Sequence, residues 1–580
     1  MRRTQTLALG LAALMTATLV GLPLRAAQEV IDYDAINRIK AQGLVADNSK
    51  VMEISSYLTD VYGPRLTGSP NILKAGEWSV AKMKEWGLEN VALEKWPDAD
   101  ASNPNNGFPR GWVNEKFYLQ ATAPQQFPIP GTPSAWTPGT NGLVKGEVVR
   151  VTETTEAELK AAYAGGKLKG KWVITGAAPD VPAYWTPPAS RYTREELDRM
   201  ESPARTNELG TTPPGGRAGA AGGRAAAPPA AAPGAPAAAA GAPAAAAGRG
   251  GRAGGAGAGG PAAQPFNRNT FFVSEGVLGV FTTAPRGHGI YTIGGGSRTA
   301  DPATLLTTIA IPAEQYGRVA RMIEKGIAVS IEADIKNTYI PNPPMFNVVG
   351  EIRGTDKADE LVMLGAHFDS WHASTGATDN VAGSAAMLEA MRILKQSGVK
   401  LRRTVRIGLW TGEEQGLIGS NLYVRQKFGG GRGGRGGGAP PPMTPDHAKF
   451  AGYFNIDNGT GAIRGIYLQN NQAVAPIFRA WMEPFRSIGM THVNPGNTGG
   501  TDHQSFDATN LPGFQFIQDE VEYGSMTHHT NLDSYERIQP EDMRRNATIS
   551  AAFAFLAANR DEKLPHKPAT GAPGGGRGGF

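Results

Sequence analysis

The stretch "TVRIGLWTGEEQGLIGSNLYVRQKF", residues 404–428, changes character twice. Thr404–Trp410 is a near-continuous apolar run, the pattern of a strand buried on both faces. Gln415–Phe428 reads as a helix. Between them Glu413 and Glu414 stand side by side where the apolar run stops. Two carboxylates in contact repel, and each is costly to desolvate. A solvated loop with a charge pair is the ordinary explanation. The other is that a strand end delivers both acids to a site, and the rest of the chain decides between the two.

The same alternation continues on both sides. "MFNVVGEI" (345–352), "LVMLGA" (361–366), "FAGYFNI" (450–456) and "GFQFI" (513–517) are further apolar runs separated by helical patterns. In "NVAGSAAMLEAMRILKQSG" (380–398), Met387, Met391 and Leu394 share one helical face. The expected fold class is α/β, a sandwich of helices about a mostly parallel central sheet. Such sheets bind ligands beyond the C-terminal ends of their strands.

The residues at those ends are mostly acids and histidines. "LVMLGA" runs into His367 and Asp369. "TGATDNVAG" (375–383) places Asp379 just before a helix, and "FAGYFNI" ends at Asp457. "THHTNLDS" (527–534) supplies His528 and His529. Singly, each has a plain explanation: Asp379 as a helix N-cap, Asp457 as the opening of a turn, either histidine as an exposed side chain. Together they place four or five carboxylates and two imidazoles at one rim, and that repulsion calls for cations. The chain has no cysteine, so a metal must be held by His, Asp and Glu. The counts suit two zinc ions. One bridging carboxylate, plus a His and a carboxylate for each ion, uses two His and three acids and leaves one acid free as a general base.

The motifs "GAHFDSWHASTGATDNVAGSAAMLEAMRIL", "RRTVRIGLWTGEEQGLIGS", "FNIDNGTG" and "HHTNLDS" resemble the M28 family of di-zinc exopeptidases, nearest to its carboxypeptidase Q type. The resemblance covers most of 30–100 and 340–560. It implies that His367 and Asp457 hold one zinc, that Glu414 and His529 hold the other, and that Asp379 bridges them. It implies Glu413 as general base and Asp369 as the residue that orients His367. His529 is preferred to His528 because the family's ligand directly precedes Thr or Ser. Thr501, Asp502, His503 and Tyr523 either line the pocket or serve the structure. The implied function is hydrolysis of terminal peptide bonds in short peptides or dipeptides, with aminopeptidase or dipeptidase preferred. The metal residues are common to aminopeptidases, carboxypeptidases and dipeptidases, so they do not set polarity. Two rivals share the fold: a glutaminyl cyclase-like acyltransferase and a receptor-like binding protein without catalysis. Short peptides are the expected partners, and a homodimer is an assembly to be tested.

Farther out, residues 29–90 read as helical, with "YGPRLTGSP" (62–70) as a turn-rich loop. From about 140 to 335, short β-rich runs such as "GLVKGEVVRV" and "GIAVSIEADI" lie between glycines and suggest a separate small domain. The resemblance implies that this is an inserted protease-associated (PA) domain. The expected divisions are 28–135 with 338–565 for the catalytic domain and 136–337 for the insert. Within the insert, 211–264 is almost wholly Ala, Gly, Pro and Arg, a composition expected to stay disordered. "GGGRGGRGGGAPPP" (429–442) and a tail from 566 to 580 share that texture.

Residues 1–27 carry Arg2, Arg3 and then an apolar stretch, the pattern of an export signal. The protein is therefore expected to be periplasmic or secreted. No later run is long and apolar enough to suggest a membrane span. The formal net charge is +5, but seven arginines sit in acid-free tracts and three more in the signal. Without them the balance turns acidic, which leaves no charge-based case for a nucleic-acid partner.

Overall fold

The computed structural model describes residues 29–97, 106, 108–202, 266–430 and 441–567. The expected signal and the Ala/Gly/Pro tract lie outside the described residues. So do all of the 429–442 loop except its two outer pairs and nearly all of the tail.

Among the described residues, two eight-stranded sheets form the framework, with helices packed against them. The centre of the first is four parallel strands, in the order Arg403–Trp410, Lys357–His367, Phe450–Asn455 and Gly513–Gln518. Phe346–Ile352 and then Glu89–Lys95 extend one edge antiparallel. Ile463–Tyr467 and His492–Asn494 extend the other. The strands alternate their side chains between two layers. Val362, Leu364 and Ala366 pack into a cluster with the helices Tyr33–Gly43, Ala382–Gln396 and Pro540–Asn559. Met363 faces the other way, into an aromatic cluster with Tyr423, Phe428, Tyr453 and Phe506 beneath the helix Ile418–Phe428. This period of two, with a helix layer on each face, is the expected α/β/α sandwich.

Ala382–Gln396 shows why the sandwich closes tightly. It is buried around nearly its whole circumference, not only on the face of Met387, Met391 and Leu394. Its first turns are Ala, Gly and Ser, which let backbones meet. A Cβ on Gly383 would stand 2.5 Å from the carbonyl oxygen of Ile456, the residue before Asp457. Close approach of this helix to the strand end is therefore built into the sequence. Each fully buried Met or Leu here contributes roughly 1.5–3 kcal/mol.

The second sheet reaches further than the 136–337 expectation. Arg110–Ala123 pairs antiparallel along Ser330–Pro341, from Arg110 opposite Pro341 to Ala123 opposite Ser330. Phe127–Pro128 and Thr132–Pro133 join the same sheet. Residues 110–135, assigned above to the catalytic domain, thus belong to the second unit. The reason lies in "RGWVNEKFYLQATA", where buried Trp112, Leu119 and Ala121 are diluted by exposed Glu115 and Lys116. A half-exposed strand carries no continuous apolar run. The chain leaves the first sheet after Lys95 and re-enters it at Phe346, and those two residues are register partners. Among the described residues no helix is long and apolar enough to cross a membrane.

A candidate metal centre at the strand ends

The eight residues singled out at the rim, His528 among them, come together. His367 closes the strand Lys357–His367. Its Nε2 lies 3.1 Å from Asp379 Oδ1 and 3.0 Å from Asp457 Oδ1. His529 Nε2 lies 2.9 Å from Glu414 Oε2 and 3.2 Å from Asp379 Oδ2. The two oxygens of Asp379 therefore face two different histidine–carboxylate pairs. His528 stacks on His529 with ring centroids 3.9 Å apart, and its Nε2 is 3.9 Å from Asp379 Oδ2. Its imidazole is pushed down to about 4, by burial first and then by His529.

The supports are local and specific. Asp369, expected to orient His367, faces its Nδ1 through two groups. His367 Nδ1 bonds to the Asp369 backbone carbonyl at 3.0 Å, with the carboxylate 3.6 Å away. That carboxylate accepts Thr67 Oγ1 at 2.8 Å and the Glu413 and Glu414 amides at 3.2 and 3.4 Å. An oxygen pair that caps two successive amides fixes the turn in which the two glutamates diverge, so Asp369 holds the strand ends of both His367 and the glutamate pair.

Two supports were not singled out from the sequence. Arg65, in the "YGPRLTGSP" loop, is fully buried and donates to the carbonyls of Leu58, Phe368, Thr375 and Gly376 at 2.8–3.1 Å. Asp533 accepts the amides of Thr378 and Asp379 at 2.5 and 3.1 Å and so aims the Asp379 loop. Asp533 lies in the quoted "HHTNLDS", so its signal was an acid four residues after His529. Of the possible lining residues, Asp502 and Tyr523 lie within electrostatic reach of the cluster. Thr501 Oγ1 accepts from Asn455 Nδ2 at 3.0 Å, while His503 bonds away from the site to the Thr498 carbonyl.

The second unit touches this centre. Ile293 N donates to the His529 carbonyl at 2.9 Å, and Thr292 bridges Thr530. His529 has φ of +54°, an uncommon conformation for a residue with a side chain. Pairing with the second unit holds it there. Trp371 lies 6.2 Å from the His529 ring and 6.2 Å from Trp136 of the second unit.

Electrostatics show what the cluster lacks. Burial pushes Glu413 well above the usual carboxylate range, with Asp457, Asp502 and Glu414 adding to it. Burial raises Glu414 to about 7 and raises Asp457 as well. Asp379 goes the other way: burial opposes its ionisation, but His367 and His529 outweigh it and hold its carboxyl well below the normal range. Unit charges 4 Å apart repel by about 4 kcal/mol at an effective dielectric of 20. The Glu414 side chain is 3% exposed and burial raises both glutamates, so the solvated-loop explanation of Glu413–Glu414 fails. Asp379 Oδ2 and Glu414 Oε1 are buried without a hydrogen-bond partner. Such atoms are rare unless something else satisfies them. His367, Asp379 and Asp457 present donor atoms all within 4.8 Å of one another, as do Asp379, His528 and His529. An all-imidazole and carboxylate set with unsatisfied oxygens fits zinc.

This sheet and its rim define a class. Residues 347–554 match the family model "Peptidase family M28". Among curated proteins, the chain is 27% identical over 265 residues to carboxypeptidase Q of Mus musculus, covering 46% of this chain and 53% of that one. The human carboxypeptidase Q is 25% identical over 265 residues, covering 46% and 52%. The chain thus spans about half the length of the curated relatives it matches. In fold it is similar to the crystal structure of a peptidase M28 precursor from Shewanella amazonensis. The TM-score is 0.59 at 22% identity, covering 92% of this chain and 100% of that one.

Proposed function

We propose that the protein is an exported, zinc-dependent exopeptidase that hydrolyses terminal peptide bonds of short peptides, with aminopeptidase or dipeptidase action preferred. One observation carries this reading: the two oxygens of Asp379 face separate pairs, His367 with Asp457 and His529 with Glu414. Two zinc ions fit this donor set, one held by His367 and Asp457, the other by Glu414 and His529, with Asp379 shared. Bound there, zinc supplies Lewis acidity, lowering the pKa of water and polarising a carbonyl. The chain's own residues do the rest. Glu413, the acid not committed to a histidine, takes the proton of the attacking water on its carboxylate and returns it to the leaving amine. Its neighbour Glu414 is engaged by His529, and Asp369 keeps the two apart through their amides. The relatives named carboxypeptidase Q support a peptidase and leave the polarity open. The 110–341 unit is read as a PA-type insert, because both of its ends emerge from adjacent strands of the first sheet. The signal-like start supports export.

The test is a substrate panel with purified protein: aminoacyl amides, dipeptides, N-blocked peptides with a free C-terminus, and N-terminal glutaminyl peptides. Chelation should abolish hydrolysis and zinc should restore it. Cyclisation of the glutaminyl substrate without hydrolysis of the others would point to the acyltransferase, and no turnover at all to a binding protein.

A further inference from the structure

The segment that carries His528 and His529 is held at both ends by the second unit. It runs from Val521 through the helical turn Tyr523–Thr527 to Thr530. At its far end Ile293 N donates to the His529 carbonyl and Thr292 bridges Thr530. At its near end Ser190 and Val521 exchange both backbone hydrogen bonds, at 2.8 and 2.7 Å. Between the two, Ser525 Oγ donates to the Pro188 carbonyl at 2.6 Å. Val521 has φ of +48° and His529 of +54°. For a β-branched residue the left-handed region is a genuine outlier, and such a conformation persists only where its surroundings impose it. The second unit grips the backbone of both left-handed residues.

Arg191 anchors the near grip. Its Nη1 lies 3.0 Å from Asp519 Oδ2 and its Nη2 lies 2.7 Å from Asp542 Oδ2. Tyr192 N donates to Asp519 Oδ1 at 3.0 Å. Both acids are buried in the first unit. Asp519 follows the strand Gly513–Gln518, and Asp542 sits in the first turn of the helix Pro540–Asn559. A buried carboxylate needs a cation, and a planar guanidinium fork can serve two acids at once. Asp519 has a second cation in Arg464 at 3.0 Å, whereas Arg545 stands 3.8 Å from Asp542. Arg191 thus ties a strap of the second unit to two fixed elements of the first, one residue away from the pairing with Val521. We propose that Arg191 is a positioning residue for the metal centre: through Ser190 it holds residues 521–530 in the backbone conformation that presents His529 to Glu414 and Asp379. The proposal rests on the zinc reading above. His367 and Asp457 instead stand at the ends of the strands Lys357–His367 and Phe450–Asn455, so the two zinc ions should depend on Arg191 unequally.

The experiment titrates the full zinc-loaded chain with a competing chelator and follows zinc per chain. In Arg191→Ala one zinc should be held about 10–100-fold more weakly, the scale set by removing an outer support of a ligand, while the other is retained as in the wild type. Arg191→Lys should fall between, since one ammonium cannot serve both acids, and it carries the comparison if Arg191→Ala does not fold. Adding Val521→Gly to Arg191→Ala should recover much of the loss, because glycine takes a positive φ without steric cost. Loss of both zincs together, with no recovery in the double variant, is what a purely structural clasp gives and overturns the proposal. So does wild-type retention of both zincs in Arg191→Ala. If the wild type itself binds no zinc, the zinc reading is what has failed. Hydrogen exchange of the metal-free chain then decides on Arg191 alone: faster exchange in Arg191→Ala confined to 521–530 supports it, and unchanged exchange there sinks it.

Discussion

Glu413 and Glu414 differ by one position and by everything around them. Glu414 Oε2 touches His529, while no described histidine pairs with the Glu413 side chain. Glu414→Gln should therefore lower zinc content. Glu413→Gln should keep zinc and reduce turnover by roughly 10²–10⁴. Elemental analysis beside kinetics checks this, and metal loss only in the Glu413 variant reverses the roles. Asp379→Asn is the sharper probe. Asn caps a helix about as well as Asp, so a mere cap would make the change nearly silent. A neutral amide cannot serve two cations with two anionic oxygens, so at least one zinc and most activity should go while circular dichroism stays native. Two zincs per chain at normal turnover would refute the shared-carboxylate role. The acids and histidines of this site were legible because strand-end residues are read directly from where apolar runs stop. The partner of His367 Nδ1 was not. That bond goes to a backbone carbonyl, which every residue carries, so no side-chain pattern announces it.

Loops, more than strands, set the geometry of the centre. The strands "LVMLGA", "TVRIGLW", "FAGYFNI" and "GFQFI" fall where their apolar runs lie. The half-exposed strand Arg110–Ala123 and the short edge strands Ile463–Tyr467 and His492–Asn494 do not stand out by composition. Nor does composition reveal that the 62–70 loop returns over three hundred residues of chain to brace 368–376. Arg65 does that bracing. Lysine cannot reproduce a planar fork shared among four carbonyls, so Arg65→Lys should cost about 2–4 kcal/mol of stability and weaken zinc retention. Urea unfolding checks the first, and a change below about 1 kcal/mol would clear the loop of that role. The loop after His367 carries a pH signature too. Burial pushes His372 down to about 4, with Nε2 bonded to the Pro133 carbonyl at 2.7 Å. Its folded pKa is below the unfolded value of about 6.5. The unfolded chain therefore takes the proton first, and stability present above pH ~6.5 is lost as pH falls toward 4, by up to about 3 kcal/mol. His503, depressed to about 4 by burial, adds to the same slope. Thermal melts from pH 7 to 4 should show the decline, shallower in His372→Gln. An unchanged slope in that variant would mean His372 is not the group responsible.

At the scale of the whole molecule, the 211–264 tract is the largest feature whose sequence argues against a part in the chemistry. It offers almost no apolar bulk and no metal ligand. Replacing it with a short Gly/Ser linker should leave turnover on dipeptides and the melting temperature largely unchanged, since loop length costs little. A large fall in dipeptide turnover would assign the tract a role that composition hides. The β-rich runs of the second sheet were readable in the sequence, but the membership of Arg110–Ala123 was not, because a long antiparallel ribbon holds residues 110–123 against 330–341, more than two hundred positions away. The crossing point has a consequence of its own. Lys95 faces Phe346 and Glu94 faces Asn347, so in space the second unit occupies the place of a hairpin turn. A gene can gain, lose or exchange such a segment without re-registering either flanking strand. The same segment supplies the backbone that pins His529. What is separable as a cassette of coding sequence is therefore not separable as chemistry. Any recombination that swaps the cassette also changes the contacts that hold His529 at the rim, so an exchange of coding sequence reaches the centre itself.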